Sequence, residues 1–218
     1  MLYLVVSKSS SISYTIVIIL LSFIIVFCAI DDAVCTFSCS IDCFACFGAR
    51  GRFFARAVAN DSAHTVDILK AAYHHKGAAV CEILQNCMIF NNGAYDPIYT
   101  REGRSKNAIY VEHGKPLVFG ENSEYGIVQE GFGLKVVKIG ENGVTMDDIL
   151  VHDAHAEDNT LQLKLAMMDN EHGFPVALGV IRDVEAPTYD EAVNAQIEEV
   201  KAAKNYHSFE ELLDTQDT

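Results

Sequence analysis

The chain has 218 residues, 50% hydrophobic and 21% charged, enough apolar material for a core and too much for a wholly disordered or collagen-like chain. Its 30 acidic and 16 basic residues leave a formal charge of −14, and residues 141–218 carry essentially all of it. No segment gathers the basic face that a phosphate backbone demands, so no nucleic-acid partner is expected; the acidic C-terminal third reads as a solvated surface able to steer a basic partner.

The first fifty residues differ in kind from the rest. Tyr14 to Ile30 (YTIVIILLSFIIVFCAI) is seventeen residues without a charge, at the lower edge of what spans a bilayer. Lys8 and its serine-rich surroundings resemble a signal n-region, but no small-x-small cleavage site comes after it. Three readings stand: a membrane anchor through residues 14–30, a cleaved signal, or a leader foreign to the reading frame of the downstream chain. The next stretch, CTFSCSIDCFACFG, favours the third, because it has neither helix nor strand period and gives way at Gly48 to a regular pattern.

Five of the seven cysteines, Cys28, Cys35, Cys39, Cys43 and Cys46, crowd into this leader. An odd, clustered count is not a disulfide framework. Cys35, Cys39, Cys43 and Cys46 offer four thiolates at short spacing for zinc or an iron–sulfur cluster, although the spacing fits no common four-cysteine pattern and no Gly or Pro supplies the turns between ligands.

From Arg52 the pattern becomes readable. Arg52–Val58 (RFFARAV) suits a buried strand. Asp61 or Ser62 caps a helix with apolar positions Val66, Leu69, Ala72 and Tyr73, its last turns carry Lys70, His74, His75 and Lys76, and Gly77 stops it. His74 and His75 read as an exposed helix-end pair. Ala78–Leu84 is a second strand, with Cys81 as a small hydrophobe in its core. Strand, capped helix and strand in this span make a right-handed crossover and hence a parallel sheet. The segment Gln85-Asn86-Cys87-Met88-Ile89-Phe90-Asn91 then leaves the carboxyl end of the second strand, the edge where open α/β sheets hold ligands. Half of such a sheet on its own leaves an unpaired edge and an apolar face.

Downstream, His113-Gly114-Lys115-Pro116 reads as a turn. His152, His155 and His172 with Asp153, Glu157 and Asp158 read as a solvated acidic face rather than a metal site, with His152 and His155 on one helix face. Pro175–Ile181 is a further strand. Thr188-x-x-Glu191 is a capping box for a helix with an apolar stripe of Tyr189, Val193, Ile197 and Val200, and Ser208-x-x-Glu211 repeats the device.

The run GRFFARAVANDSAHTVDILKAAYHHKGAAVCEILQNCMIFNNGAYDPI resembles the second half of the thiamine-diphosphate domain in beta subunits of 2-oxoacid:ferredoxin oxidoreductases, the 2-oxoglutarate type above all. The most telling motif is ILQNCMIFNNGAYD, Ile83 to Asp96. The resemblance continues through YVEHGKPLVFG, GFPVALGVIRDVEAPTYDEAVNAQI and SFEELLDTQDT, covering residues 48–218.

The resemblance implies an α/β fold: a partial parallel-sheet thiamine-diphosphate-type domain over residues 48–98, an α+β C-terminal extension over 99–218, and a non-matching leader over 1–47. It implies a cytoplasmic enzyme subunit that works with an alpha subunit. Such enzymes oxidatively decarboxylate a 2-oxo acid with coenzyme A and pass electrons through a [4Fe–4S] cluster to ferredoxin, using thiamine diphosphate and magnesium. Carried over by the motif, Cys87 is one of the four cluster ligands, and Phe90 and Asn91 shape the same loop. The family's Cys-x-x-Cys-Gly segment and its Gly-Asp-Gly magnesium-diphosphate segment have no counterpart in this sequence. The expectation is therefore a C-terminal half behind an unrelated or frame-shifted leader, inactive alone. The competing expectation is a membrane-anchored, non-catalytic interaction protein that reuses the half-domain.

Overall fold

A computed structural model describes residues 43–86, 88–89, 92–203 and 209–214, together with the backbone of two strands in the leader, β1 (Leu2–Ser9) and β2 (Ser13–Ile19). The fold is built around β3 (Phe53–Val58), all six of whose residues are buried. Strand alternation divides them. Phe53, Ala55 and Ala57 face one side, and Phe54 and Val58 flank Arg56 on the other.

Helix α1 (Ser62–His74) covers the first side. It starts at Asp61, whose side chain accepts the His64 backbone N–H at 3.4 Å. It ends where the His75 N–H reaches Ala71 O at 3.0 Å and Gly77 turns the chain at φ 123°. Cap and stop are where the sequence places them, but the stripe is rotated. Ile68 and Ala72 are buried against the sheet, whereas Val66 and Tyr73 are about half exposed, at 47% and 50%. Strand β4 (Ala78–Leu84) then pairs in parallel with β3, from Phe53 opposite Ala79 to Val58 opposite Leu84. The expected parallel crossover is present.

The sheet is larger than that unit. β9 (Val176–Asp183) lies antiparallel along the other flank of β3, and β5 (Ala108–Val111) pairs in parallel with β9. A β-bulge at Phe54/Ala55 interrupts the β3–β9 register. Gly179 permits the close approach of β5, since a Cβ there would sit 2.5 Å from Val111 O. The outer edge of β4, expected to be unpaired, is taken by β1, antiparallel from Leu2 opposite Ile83 to Ser7 opposite Ala78. The six-stranded order is β2-β1-β4-β3-β9-β5. Of the apolar 14–30 run, residues 14–19 belong to strand β2 and residues 20–30 lie outside the described residues. Among the described residues no helix is long and apolar enough to cross a membrane.

The second face is closed by the C-terminal extension. Strands β6 (Val118–Phe119), β7 (Tyr125–Glu130) and β8 (Gly133–Lys138) form a separate antiparallel sheet. Leu117 and Ile127 from this region share a core with Phe54, Ile109, Val111, Ala177 and Ile181 of the large sheet. Two short helices, α2 (Asp96–Tyr99) and α3 (Arg101–Asn107), come after β4, and α4 (Thr160–Ala166) packs Leu165 and Ala166 into the shared core. Buried Arg182 of β9 donates to Gly51 O and Ala156 O, both at 2.9 Å, and to the side-chain oxygen of buried Gln162. Gln162 in turn donates to Asp153 O at 2.9 Å and Ala154 O at 3.1 Å. These two side chains satisfy the irregular 153–157 loop, which would otherwise carry orphaned carbonyls into the core.

The expected capping box is made: Thr188 N–H donates to Glu191 Oε2 at 3.1 Å, and Glu191 N–H to Thr188 Oγ1 at 3.4 Å. It opens α5 (Tyr189–Ala203), with α6 (Phe209–Asp214) beyond it. No residue of α5 is buried, and Tyr189 is 86% exposed.

Candidate functional site at the carboxyl edge of the sheet

Because β3 and β4 run in parallel, their carboxyl ends, Val58 and Leu84, reach the same edge. Ala59 N–H donates to Leu84 O at 2.9 Å, which ties the two exits together. Val58, Leu84, Ile98, Ala108 and Leu178 form a small buried cluster beneath this edge.

Two loops rise from it. The loop after β3 is short, and Asp61 N–H closes it on Val58 O at 2.9 Å. The loop after β4 is longer and carries the ILQNCMIFNNGAYD motif. Asn86 pins its base, accepting Gly93 N–H at 2.8 Å and donating to Asn92 Oδ1 at 3.4 Å. Between these anchors Met88 and Ile89 stand 81% and 83% exposed. Exposed apolar side chains side by side on a polar loop are the kind of surface that a ligand or partner covers. Cys87, Phe90 and Asn91 lie outside the described residues.

A polar cluster beside this loop escaped the sequence reading. Arg104 of α3, 7% exposed, donates through one nitrogen to Asn60 Oδ1 and Tyr99 O at 2.7 Å and to Ile98 O at 3.3 Å. Its Nε lies 3.6 Å from Asp61 Oδ2. Tyr110 of β5 donates its hydroxyl to the same carboxylate oxygen at 2.8 Å. The His64 and Tyr110 rings meet edge to face, 4.9 Å apart. Burial pushes the Asp61 carboxyl up, but the bonds from Tyr110 and from the His64 amide, with Arg104 nearby, outweigh it and hold Asp61 below the ordinary carboxylate value. Burial and the Asp61 carboxylate hold the Tyr110 phenol above its usual value, and burial pushes the His64 imidazole down. The result is a charged carboxylate, a protonated phenol and a neutral imidazole fixed by Arg104 in one rigid corner. The sequence offered Asp61 only as a helix cap, and no local signal pairs it with residues from α3 and β5.

The remaining candidates fall elsewhere. Cys81 is buried with its thiol pushed up to about 12 by burial, an inert core residue as expected. Cys43 and Cys46 sit on a short helical segment, 43–48, packed into the shared core, and burial first, then Cys43, pushes the Cys46 thiol up to about 11. Cys35 and Cys39 lie outside the described residues.

The histidine expectations need correction. His74 is exposed, but His75 is buried, with Nδ1 2.7 Å from Asp183 Oδ1, because the chain turns inward at the end of α1. His152 and His155 lie on a loop rather than a helix. His152 is buried with Nε2 3.0 Å from Val180 O, while His155 packs on the His113 ring at 4.2 Å. His172 is away from both, paired with Asp169. The His113–Pro116 turn is present, closed by Lys115 N–H on Glu112 O at 3.1 Å. Among the described residues no three His, Cys, Asp or Glu side chains are arranged to hold a metal ion.

No family model matches the chain, and no solved structure matches it. Over 158 residues it is 41% identical to the 2-oxoglutarate oxidoreductase subunit KorB of Mycobacterium tuberculosis. That match takes in 72% of this chain and 41% of KorB, so the chain spans about two fifths of its relative's length.

Proposed function

We propose that residues 48–218 are the C-terminal part of the beta subunit of a 2-oxoacid:ferredoxin oxidoreductase of the 2-oxoglutarate class, with residues 48–98 completing a thiamine-diphosphate domain and 99–218 forming its extension. The observation that carries this reading is the 41% identity to KorB over 158 residues. The motif-bearing loop at the carboxyl edge of the parallel strands supports it, since cofactors of open α/β sheets lie at that edge.

In this reading Cys87 is one thiolate ligand of a [4Fe–4S] cluster, three residues beyond the end of β4. The sequence has no counterpart of the family's Cys-x-x-Cys-Gly or Gly-Asp-Gly segments. In this reading the rest of the cofactor machinery belongs to other parts of the subunit, and this chain by itself is inactive. What its own residues supply is a preformed edge. Asn86 holds the base of the Cys87 loop, and Arg104 with Asn60 and Asp61 holds the neighbouring turn so that neither moves when a cofactor docks. Its partners are an alpha subunit and ferredoxin, and its substrates a 2-oxo acid and coenzyme A.

The test begins with the DNA upstream of codon 48, translated in all three frames for a Cys-x-x-Cys-Gly and a Gly-Asp-Gly segment running into Gly48. The intact frame, expressed with its alpha subunit, should reduce a viologen dye only when 2-oxoglutarate and coenzyme A are both present. Cys87→Ser in that complex should lose the cluster absorbance. Absence of both segments from every frame, or a complex inert toward 2-oxo acids, would remove the reading.

A further inference from the structure

Residues 151–157 form a strap between β9 and the turn at 113–116. Toward the turn, His152 O accepts the Gly114 N–H at 2.8 Å, and the His152 N–H donates to Lys115 O at 2.9 Å. Toward β9, Ala154 O accepts the Asp183 N–H at 2.8 Å, and the His152 ring reaches Val180 O. The strap therefore joins the C-terminal extension to the central sheet, and His152 takes part in both contacts.

That histidine fits the joint only while it is uncharged. His152 is 1% exposed, with Nε2 3.0 Å from Val180 O. A carbonyl only accepts, so Nε2 carries the hydrogen and Nδ1 keeps its lone pair. Nδ1 is buried without a hydrogen-bond partner among the described residues, so a proton there would place a charged donor where nothing accepts it. The nearby carboxylates are committed elsewhere. Asp153 Oδ1 accepts the His155 N–H at 2.9 Å and lies 3.4 Å from His113 Nδ1, and Asp183 faces His75 Nδ1 at 2.7 Å. Glu157 is paired with Arg52, and Glu112 with Lys115. The other neighbours are Arg182 of β9, bonded to Ala156 O, and the His113 and His155 rings packed on one another. Burial above all holds the His152 imidazole below its ordinary value; the Val180 bond and Asp153 oppose it, and His113 and His155 add to it.

We propose that the 151–157 strap is an acid-sensitive latch, in which His152 takes a proton only once the strap has lifted from the turn and from β9. In the open strap His152 is an ordinary imidazole, half protonated at about pH 6.5. The closed strap refuses that proton. The stability of closure is therefore complete above about pH 6.5 and declines as pH falls below it. Carboxylates titrate lower, so between pH 7.5 and 5.5 the loss is confined to the strap. Release frees the Gly114 turn and the Asp183 amide without parting β3 from β4. The inference is independent of the redox reading and survives its failure.

The experiment follows amide exchange of the full chain at pH 7.5, 6.5 and 5.5, with each rate corrected for its intrinsic pH dependence. Protection at Gly114, His152 and Asp183 should fall about tenfold from pH 7.5 to 5.5, the limit set by one imidazole, while that of Ala55 and Ala57 in β3 holds. His152→Gln, which keeps a donor for Val180 O and cannot charge, should flatten the fall. His113→Gln, at a half-exposed ring, should leave most of it in place. The ring ¹⁵N signals of His152 in the parent chain need no variant: at pH 6.5 they should show a neutral ring with its hydrogen on Nε2. Constant protection across the range, a fall shared equally by β3, a fall that persists in His152→Gln, or a His152 ring half protonated at pH 6.5 would each overturn the proposal.

Discussion

Arg56 and Glu82 stand directly opposite one another on the parallel strands β3 and β4, with Arg56 Nε 2.5 Å from Glu82 Oε2 and both side chains essentially excluded from solvent. The pair sits in the central strand pair, with Phe54 and Val58 on either side of Arg56 along β3 and the Phe54 ring 5.8 Å from its guanidinium carbon. Two charges taken from water in this way hold each other at large cost to whichever is left behind.

Removing one partner should therefore hurt more than removing both. Glu82→Ala strips Arg56 of its opposed carboxylate and should cost about 3–5 kcal/mol, read as a fall in the urea midpoint. Arg56→Met combined with Glu82→Leu should recover most of that loss. A double variant as unstable as the single one would mean that the pair itself stabilises the sheet.

The Asp61 corner carries a pH signature. Its carboxyl lies below the ordinary value in the folded chain, so the stability it adds is present above the unfolded value of about 3.9 and is lost as pH falls through the folded one. Asp61→Asn keeps the helix cap but cannot ionise. The stability gap between parent and variant, measured by urea titration, should be widest at neutral pH and close in acid. A gap that persists unchanged in acid would show that charge plays no part.

The loop from Asp153 to Glu157 depends on a side-chain scaffold. Gln162→Leu leaves the Asp153 carbonyl without its side-chain donor, the Ala154 carbonyl with the Asp183 N–H alone, and Arg182 without one acceptor. The cost should be about 1–3 kcal/mol, with faster amide exchange confined to residues 153–157. An unaltered exchange pattern there would sink this account of the loop.

Thiol reactivity should divide by burial. Cys46 and Cys81, with thiols raised to about 11 and about 12, carry almost no thiolate at neutral pH. Iodoacetamide treatment and peptide mapping should leave both unmodified in the folded chain and label both in urea. Labelling of Cys81 without denaturant would show that β4 opens on the reaction timescale.

Helix α5 gives the opposite expectation. With no buried residue in it, Ile197→Asp should change the stability of the chain by less than about 0.5 kcal/mol. A loss several times larger in the urea midpoint would mean that the helix packs in solution.

The sequence was most informative where structure is decided locally. Strand β3, the Asp61 cap, the Gly77 stop, strand β4 and the Thr188–Glu191 capping box rest on neighbours a few residues away, and they sit where the pattern puts them. Long-range choices were not legible. Nothing near Phe54 announces Arg182 as its antiparallel neighbour, and nothing near His75 announces Asp183, which turns an apparently exposed helix-end residue into a buried one. The rotated stripe of α1 has the same origin, since which of Ile68 and Val66 faces inward depends on how the helix lies on the sheet. For the candidate site, the motif around Cys87 could be read directly, whereas the Asp61–Arg104–Tyr110 corner is assembled from three elements that only the fold brings together.

The position of β9 has a kinetic consequence. Strand β3 is complete at Val58, but the strand that pairs along its second flank does not begin until Val176. On a ribosome adding about 5–20 residues each second, that interval lasts roughly 6–24 seconds. Throughout it the nascent β3–α1–β4 unit carries an open backbone edge along β3. The window closes only when β9 arrives, which makes the early part of this chain a client for whatever shields unfinished sheets during synthesis.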